Sequence, residues 1–257
     1  MLNFRNTSIL FAILLAGLIA YHILHGVPIF YYVILLFVYL LILAYGSYFI
    51  QAGFYIESIC SAKTDKKEIA LSFDDGPANQ YTPAILELLS QYNIQAAFFC
   101  IGSRIPNNEA LFRKLHENGH IIGNHSYSHY RWFDLFSSQK MLNDMQLMNQ
   151  EMARLTGLTP RLFRPPYGVT NPNLKKAIIK GNYISVGWNV RSFDTVIRNE
   201  KKLMRRVRRL VRPGSIILFH DTSETTVKIL AAFIRQLLDE GYTITRLDKM
   251  LKLEPYV

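Results

Sequence analysis

Two adjacent carboxylates, Asp74 and Asp75, close an apolar run in the stretch Ser72-Phe73-Asp74-Asp75-Gly76-Pro77. A short apolar run emptying into a Gly-Pro turn reads as a strand followed by a loop. Side chains alternate along an extended backbone, so neighbouring carboxylates there are expected to point apart. One can then bind a metal while the other handles a proton. His125 and His129 are four apart, a spacing that puts both imidazoles on one face of a helical turn. With one carboxylate they make a two-His, one-Asp set that leaves positions for water and substrate, which suits a catalytic zinc better than a closed structural site. His220 ends the run Ile-Ile-Leu-Phe and fits a general acid, with Asp194 as the carboxylate that orients it. His116 and His120 repeat the spacing of four, but Gly119 breaks the shared face. His116 is therefore expected at the surface and His120 in a structural role.

These residues need a frame that brings them together. From residue 69 onward, strand-like runs at 69–73, 96–101, 120–123, 161–164, 183–188, 215–219 and 243–245 alternate with helical patterns at 82–91, 107–117, 139–156, 172–180, 201–211 and 225–240. Alternation of this kind predicts an α/β domain with a parallel sheet and crossover helices, either open or closed into a barrel. The chemistry-bearing residues fall at the C-terminal ends of those strands, where parallel β/α architectures collect catalytic groups. The two cysteines, Cys60 and Cys100, show neither a disulfide framework nor metal-site spacing, and Cys100 reads as a small buried hydrophobe.

The amino-terminal part has a different composition. Residues 1–56 hold a single charged side chain, Arg5, so the remainder carries 28 of the 29 Lys and Arg and all 19 Asp and Glu, a net +9 of the total +10. Two apolar runs, 8–24 and 29–50, flank the turn His25-Gly26-Val27-Pro28. Their lengths predict a transmembrane hairpin in a multi-pass membrane protein. A cleaved signal peptide is the rival, but no small-x-small site follows the first run and a second run begins at once. The expected organisation is a hairpin over residues 1–56, a linker over 57–67 and a catalytic domain over 68–257. Arg5 flanks the first run and Lys63, Lys66 and Lys67 follow the second, whereas the turn bears no Lys or Arg. The charge bias puts both termini and the domain on the cytoplasmic face, with an extracytoplasmic domain as the alternative.

The motifs SFDDGP, HSYSH, RPPYG and LFH, in this order over residues 68 to about 251, resemble those of the polysaccharide deacetylase family, the NodB-type carbohydrate esterases. The resemblance implies a distorted (β/α) barrel of NodB type and a hydrolase that removes N-acetyl groups from an amino sugar with a divalent metal ion, zinc foremost and cobalt or nickel as substitutes. It implies Asp74 as general base and Asp75, His125 and His129 as metal ligands. Arg164 would position the base, the backbone N–H of Tyr167 would donate to the oxyanion, and His220 would be the general acid. The family's fourth motif commonly runs Asp-x-x-Asp-Trp; here Arg191-Ser192-Phe193-Asp194-Thr195 keeps the second Asp, replaces the first by Arg191 and the tryptophan by Thr195.

These replacements motivate an alternative, a membrane-tethered glycan-binding protein with a degenerate deacetylase site. The substrate expected for the enzyme is an N-acetylated amino-sugar glycan or a lipid-linked sugar, the latter favoured if the domain faces the cytoplasm. The basic stretch 201–212 carries seven Lys and Arg without interleaved aromatic residues, which argues against nucleic acid and for anionic lipid headgroups.

Overall fold

The computed structural model describes residues 2–257. It opens with two helices, α1 (Phe4–His25) and α2 (Ile29–Tyr48), both long and apolar enough to cross a membrane. None of their apolar side chains is buried and most are exposed, unlike those of a core helix. Asn3 caps α1 by accepting from the N–H of Asn6, and Pro28 precedes α2.

Eight parallel strands follow: β1 (Glu68–Asp74), β2 (Ala97–Cys100), β3 (Ile121–Asn124), β4 (Leu162–Phe163), β5 (Ile184–Ser185), β6 (Val190–Arg191), β7 (Ile216–His220) and β8 (Thr243–Ile244). The sheet order is β5-β4-β3-β2-β1-β7-β6, with β8 also paired to β1. The helices α3 (Thr82–Gln91), α4 (Glu109–Glu117), α5 (Ser138–Thr156), α6 (Pro172–Lys180), α7 (Glu200–Leu210) and α8 (Glu224–Asp239) supply the crossovers, and α9 (Leu247–Leu251) closes the chain. The expected alternation holds, with helix starts fixed by side-chain caps at Ser137, Asn171, Asn199 and Ser223. The sequence reading missed β6 and α9, whose two and five residues are too few to show a period.

The sheet is a curled half-barrel with apolar clusters on both faces. Phe73, Phe98 and Phe219 stack on the outer face beneath α3, α4 and α8. Ala70, Ala97, Phe99 and Leu218 fill the inner face together with Trp188 and Ile50.

Residues 57–67, expected as a linker, are laid against the domain instead. Ile59 bridges Val186 beside β5 and Ser61 bridges Ser215 beside β7. Ser58 and Ser185 share a hydrogen bond of 2.7 Å. The segment thus spans the gap between the two ends of the curled sheet and satisfies edge backbone groups that would otherwise be orphaned.

The hairpin is docked as well. Ile42 and Leu43 of α2 pack against a cluster that includes Phe54, Phe133, Met141 and Ile178. Gly46 is required there, because a Cβ would come within 2.2 Å of the Phe54 ring. Thr170 donates its backbone N–H to the carbonyl of Ser47 at 3.0 Å and its hydroxyl to that of Gly46 at 3.2 Å.

Candidate active site

Parallel register brings the sequence-separated groups to one sheet edge. Asp74 lies opposite His220 in the pairing of β1 with β7, and Asn124, at the end of β3, lies between Cys100 and Phe163. Asp74, Asp75, His125, His129, Tyr167, Trp188, Arg191 and His220 line one cleft of about 360 Å³.

Both carboxylates face this cleft, contrary to the expectation that they point apart. Asp75 leaves the extended region with φ 77°, so the strand alternation ends at Asp74. The histidine pair also converges without the helical turn that its spacing suggested. Residues 125–129 form a loop with left-handed backbone at Ser126 (φ 66°) and His129 (φ 44°). Asn124 accepts from the Ser126 N–H at 2.8 Å, and Ser126 Oγ accepts from the His129 N–H at 3.0 Å. Asp144 on α5 accepts from the N–H groups of Tyr127 and Ser128 at 2.7 and 3.2 Å. Polar side chains hold this loop in place of a helix ladder.

Asp75, His125 and His129 offer three ligand atoms that all lie within 4.8 Å of one another. The Nε2 atoms of His125 and His129 stand 3.6 and 3.4 Å from Asp75 Oδ1. Ligands about 2.0–2.1 Å from one tetrahedral ion sit about that far apart. His125 Nδ1 is 2.7 Å from the Arg164 carbonyl, which fixes the ring as a proton donor there and turns Nε2 into the cleft as an acceptor. Burial, reinforced by the neighbouring His129, pushes its pKa down to about 3, so the imidazole is neutral and ready to ligate. The residues present therefore fit a catalytic divalent ion.

Asp74 is buried and held by Arg164, whose Nη1 donates to Oδ1 at 2.7 Å. Arg164 has no exposed surface and donates also to Ser72 Oγ and to the carbonyls of Val186 and Gly187. Burial raises the pKa of Asp74, and the Arg164 charge opposes the rise. Its Oδ2 stays on the cleft side, 3.8 Å from His125 Nε2.

His220 and Asp194 meet as expected, with Nδ1 2.7 Å from Oδ1. Asp194 is fully buried and also accepts from the His220 N–H, Ser192 Oγ and Thr226 Oγ1. Burial disfavours the charged imidazole, but the hydrogen bond and charge of Asp194 outweigh it and raise the pKa of His220 to about 9. With Nδ1 engaged, Nε2 is the nitrogen left to the cleft.

Tyr167 has φ 60°, and its ring packs edge-on to that of His129 with centroids 4.8 Å apart. Arg191 lines the cleft over the rings of Phe193 and Trp188, at 4.7 and 5.5 Å. Trp188, on which the sequence reading placed no role, also lines the cleft and packs against Gly168, where a Cβ would come within 2.5 Å of the indole. Ser72, Ser192 and Thr226 were missed as supporting residues, because single hydroxyls on a strand, a loop and a helix carry no spacing signal. His116 is half-buried on α4, and His120 is buried and accepts from the Ala96 N–H, in keeping with the structural role expected of it.

A family model described as polysaccharide deacetylase matches residues 61–184. A peptidoglycan-N-acetylglucosamine deacetylase of Bacillus cereus is 33% identical over 193 residues, which cover 73% of this chain and 90% of that protein. The peptidoglycan-N-acetylglucosamine deacetylase PgdA of Listeria monocytogenes is 32% identical over 195 residues. These cover 76% of this chain but only 41% of the Listeria protein, so the chain spans about two fifths of that relative's length. Among solved structures, the Bc1960 peptidoglycan N-acetylglucosamine deacetylase in complex with 4-naphthalen-1-yl-N-oxidanyl-benzamide superposes with a TM-score of 0.73 at 30% identity. The match covers 77% of this chain and 94% of that one.

Proposed function

The chain belongs to the polysaccharide deacetylase family, and from that premise we propose that it is a metal-dependent N-deacetylase of an amino sugar, its catalytic domain spanning residues 68–257. The observation that carries this reading is the convergence on one cleft of three groups: the ligand set Asp75, His125 and His129, the Asp74–Arg164 pair, and the His220–Asp194 pair. Its relatives in Bacillus cereus and Listeria monocytogenes are named for deacetylating peptidoglycan N-acetylglucosamine, which supports an N-acetylated glycan as the substrate class.

Asp75, His125 and His129 would hold the ion, zinc foremost; bound there it supplies Lewis acidity that polarises an acetamide carbonyl and makes a water more acidic. Arg164 pins Oδ1 of Asp74 and leaves Oδ2 to take the proton of the attacking water. The Tyr167 N–H, carried on its left-handed turn, donates to the oxygen that gains negative charge as the carbonyl carbon becomes tetrahedral. Nε2 of His220 protonates the amine as the C–N bond breaks, releasing acetate and the free amino sugar. Asp194 keeps that imidazole charged and oriented.

The helices α1 and α2 are read as membrane spans, and the charge bias of Arg5, Lys63, Lys66 and Lys67 supports a cytoplasmic domain. A domain on that face reaches amino sugars on lipid carriers, which makes a lipid-linked glycan precursor the preferred substrate. Purified full-length protein with zinc or cobalt is expected to release acetate from N-acetylhexosamine substrates, lipid-linked ones included, and Asp74→Asn to abolish the release. No acetate from any such substrate would overturn the reading. Arg191, a cation where the family's first Asp of the motif stands, favours the second reading, a glycan-binding protein that has lost turnover. A protein that takes up no divalent ion, and whose glycan affinity survives Asp75→Ala, would favour it.

A further inference from the structure

The segment between His129 and α5 presents large apolar side chains to solvent beside the cleft: Tyr130 and Trp132 are each 50% exposed and Leu135 73%. The segment is not loose. Phe133 is buried in the apolar cluster that Ile42 and Leu43 of α2 join, and the Asp134 carbonyl accepts from Asn171 Nδ2 at 2.7 Å. The preceding residue, Thr170, is the one bonded to the carbonyls of Gly46 and Ser47 in the last turn of α2. The exposed aromatic residues are thus tied, within a few residues, to the point where the apolar surface of the second helix ends. Tyr130 follows directly on His129, which lines the cleft, so the same segment borders the cleft.

A second surface adjoins the start of α1. Phe4 and Arg5 share a groove with Lys175, Lys176 and Ile179 of α6, and Ile179 is 69% exposed. The one carboxylate in this groove is Glu57. The Phe4 N–H donates to the Phe54 carbonyl at 3.0 Å, so α1 and α2 begin and end against this same side of the domain. Tyr, Trp and long basic side chains are the residue types that settle where hydrocarbon meets headgroups, with rings or stems in the apolar layer and polar ends in water.

We propose that the segment 130–135 and the exposed face of α6 are seated in the headgroup layer of the bilayer that α1 and α2 enter, so that the cleft opens at the membrane surface. The substrate is then an amino sugar presented within reach of that surface. This rests on the reading of α1 and α2 as spans, and it assigns the exposed aromatic residues to lipid and not to sugar stacking. It also moves the lipid-facing role from the basic helix α7 to α6, since the docked ends of the hairpin touch α6 and the 168–171 turn.

The chain has two tryptophans, Trp132 and the buried Trp188, so Trp132 is an addressable reporter. The test reconstitutes the full chain in phosphatidylcholine–phosphatidylglycerol vesicles whose acyl chains are brominated near the headgroup, and compares emission with unbrominated vesicles. Quenching of at least about twofold in the wild type that vanishes in Trp132→Phe is expected, and absence of quenching overturns the proposal. Alkaline carbonate extraction of the same vesicles separates the two readings. A chain that extracts is not spanning and both fall, whereas a chain that stays with its Trp132 unquenched defeats the surface alone. Turnover gives an independent arm. Trp132→Ser with Leu135→Ser is expected to lower acetate release from a polyprenyl-phosphate amino sugar about tenfold and leave a soluble oligomer unaffected. Equal losses on both would mean that these residues bind sugar, and would overturn it.

Discussion

Arg164 carries a full charge where no surface is exposed, and it survives because each of its three nitrogens donates: to Asp74 and Ser72 from Nη1 and to two carbonyls from Nε and Nη2. Removing one member of such a pair strands the other. Arg164→Ala is expected to cost about 3–5 kcal/mol of stability in chemical denaturation. Arg164→Lys should recover little, because a single ammonium cannot reach all four acceptors. Near-wild-type stability of either variant would show that Asp74 relaxes to solvent. The second buried pair sets a pH limit. His220 is held protonated up to about pH 9, against about 6.5 in an unfolded chain. Its pKa is raised on folding, so the stabilisation is fully present below pH 6.5 and is lost as pH rises through 9. On the proposed role of His220 as general acid, kcat/KM is expected to fall above pH 9 over the same limb. Asp194→Asn removes the charge that raises this pKa. Its alkaline limb should move to lower pH, with a rate loss of about 10²-fold or more. A limb unmoved in Asp194→Asn would mean that another group titrates there.

At the scale of elements, the stretch between the apolar helices and β1 behaves as part of the sheet. Ile50 lies just past the last turn of α2, yet it is buried in the inner-face cluster with Val186, Trp188 and Leu218. Ile50→Ala is accordingly expected to destabilise the domain by about 2–5 kcal/mol, as a buried deletion does. An unchanged denaturation midpoint would show that the packing is dispensable. Composition could not reveal this, because Ile50 continues an apolar run that reads as membrane, and 58–67 has the polarity of a linker. The alternation from β1 onward was legible, since the crossover helices have apolar faces and four of the six, α5 to α8, start at a capping side chain. Within the cleft, Asp194 and His220 meet where the C-terminal ends of strands predicted. The approach of His125 to His129 was anticipated for the wrong reason, since a left-handed backbone at Ser126 and His129 cannot be read from a spacing of four. The contact between Thr170 and α2 joins residues more than a hundred positions apart, and no local pattern encodes it.

For the whole molecule, metal and membrane make separable demands. An ion bound to the folded ligand set stabilises the native state by mass action, about 2.7 kcal/mol at a hundredfold excess over Kd. Zinc should therefore raise the melting temperature of the wild type and leave that of Asp75→Asn unmoved, and an equal rise in both would place the ion elsewhere. Charge distribution bears on the proposed orientation. Arg5 at the start of α1 and Lys63, Lys66 and Lys67 beyond α2 lie on the domain side, and the turn His25-Gly26-Val27-Pro28 has no Lys or Arg. The structure adds Lys175 and Lys176 to that side, next to Arg5. Positive charge is retained in the cytoplasm, and an uncharged turn is the cheaper part to translocate. The orientation expected is therefore a domain facing the cytoplasm, with the tip of the hairpin across the bilayer. The names of the relatives pull the other way, since finished peptidoglycan lies outside the membrane. A carboxy-terminal fusion to a reporter active only after export should be silent, and one active only in the cytoplasm should be bright. Moving two arginines into the turn, at Gly26 and Val27, should weaken the second signal and raise the first as orientations mix. An export reporter bright on the unmodified chain would reverse the orientation and make exported glycan the substrate to test.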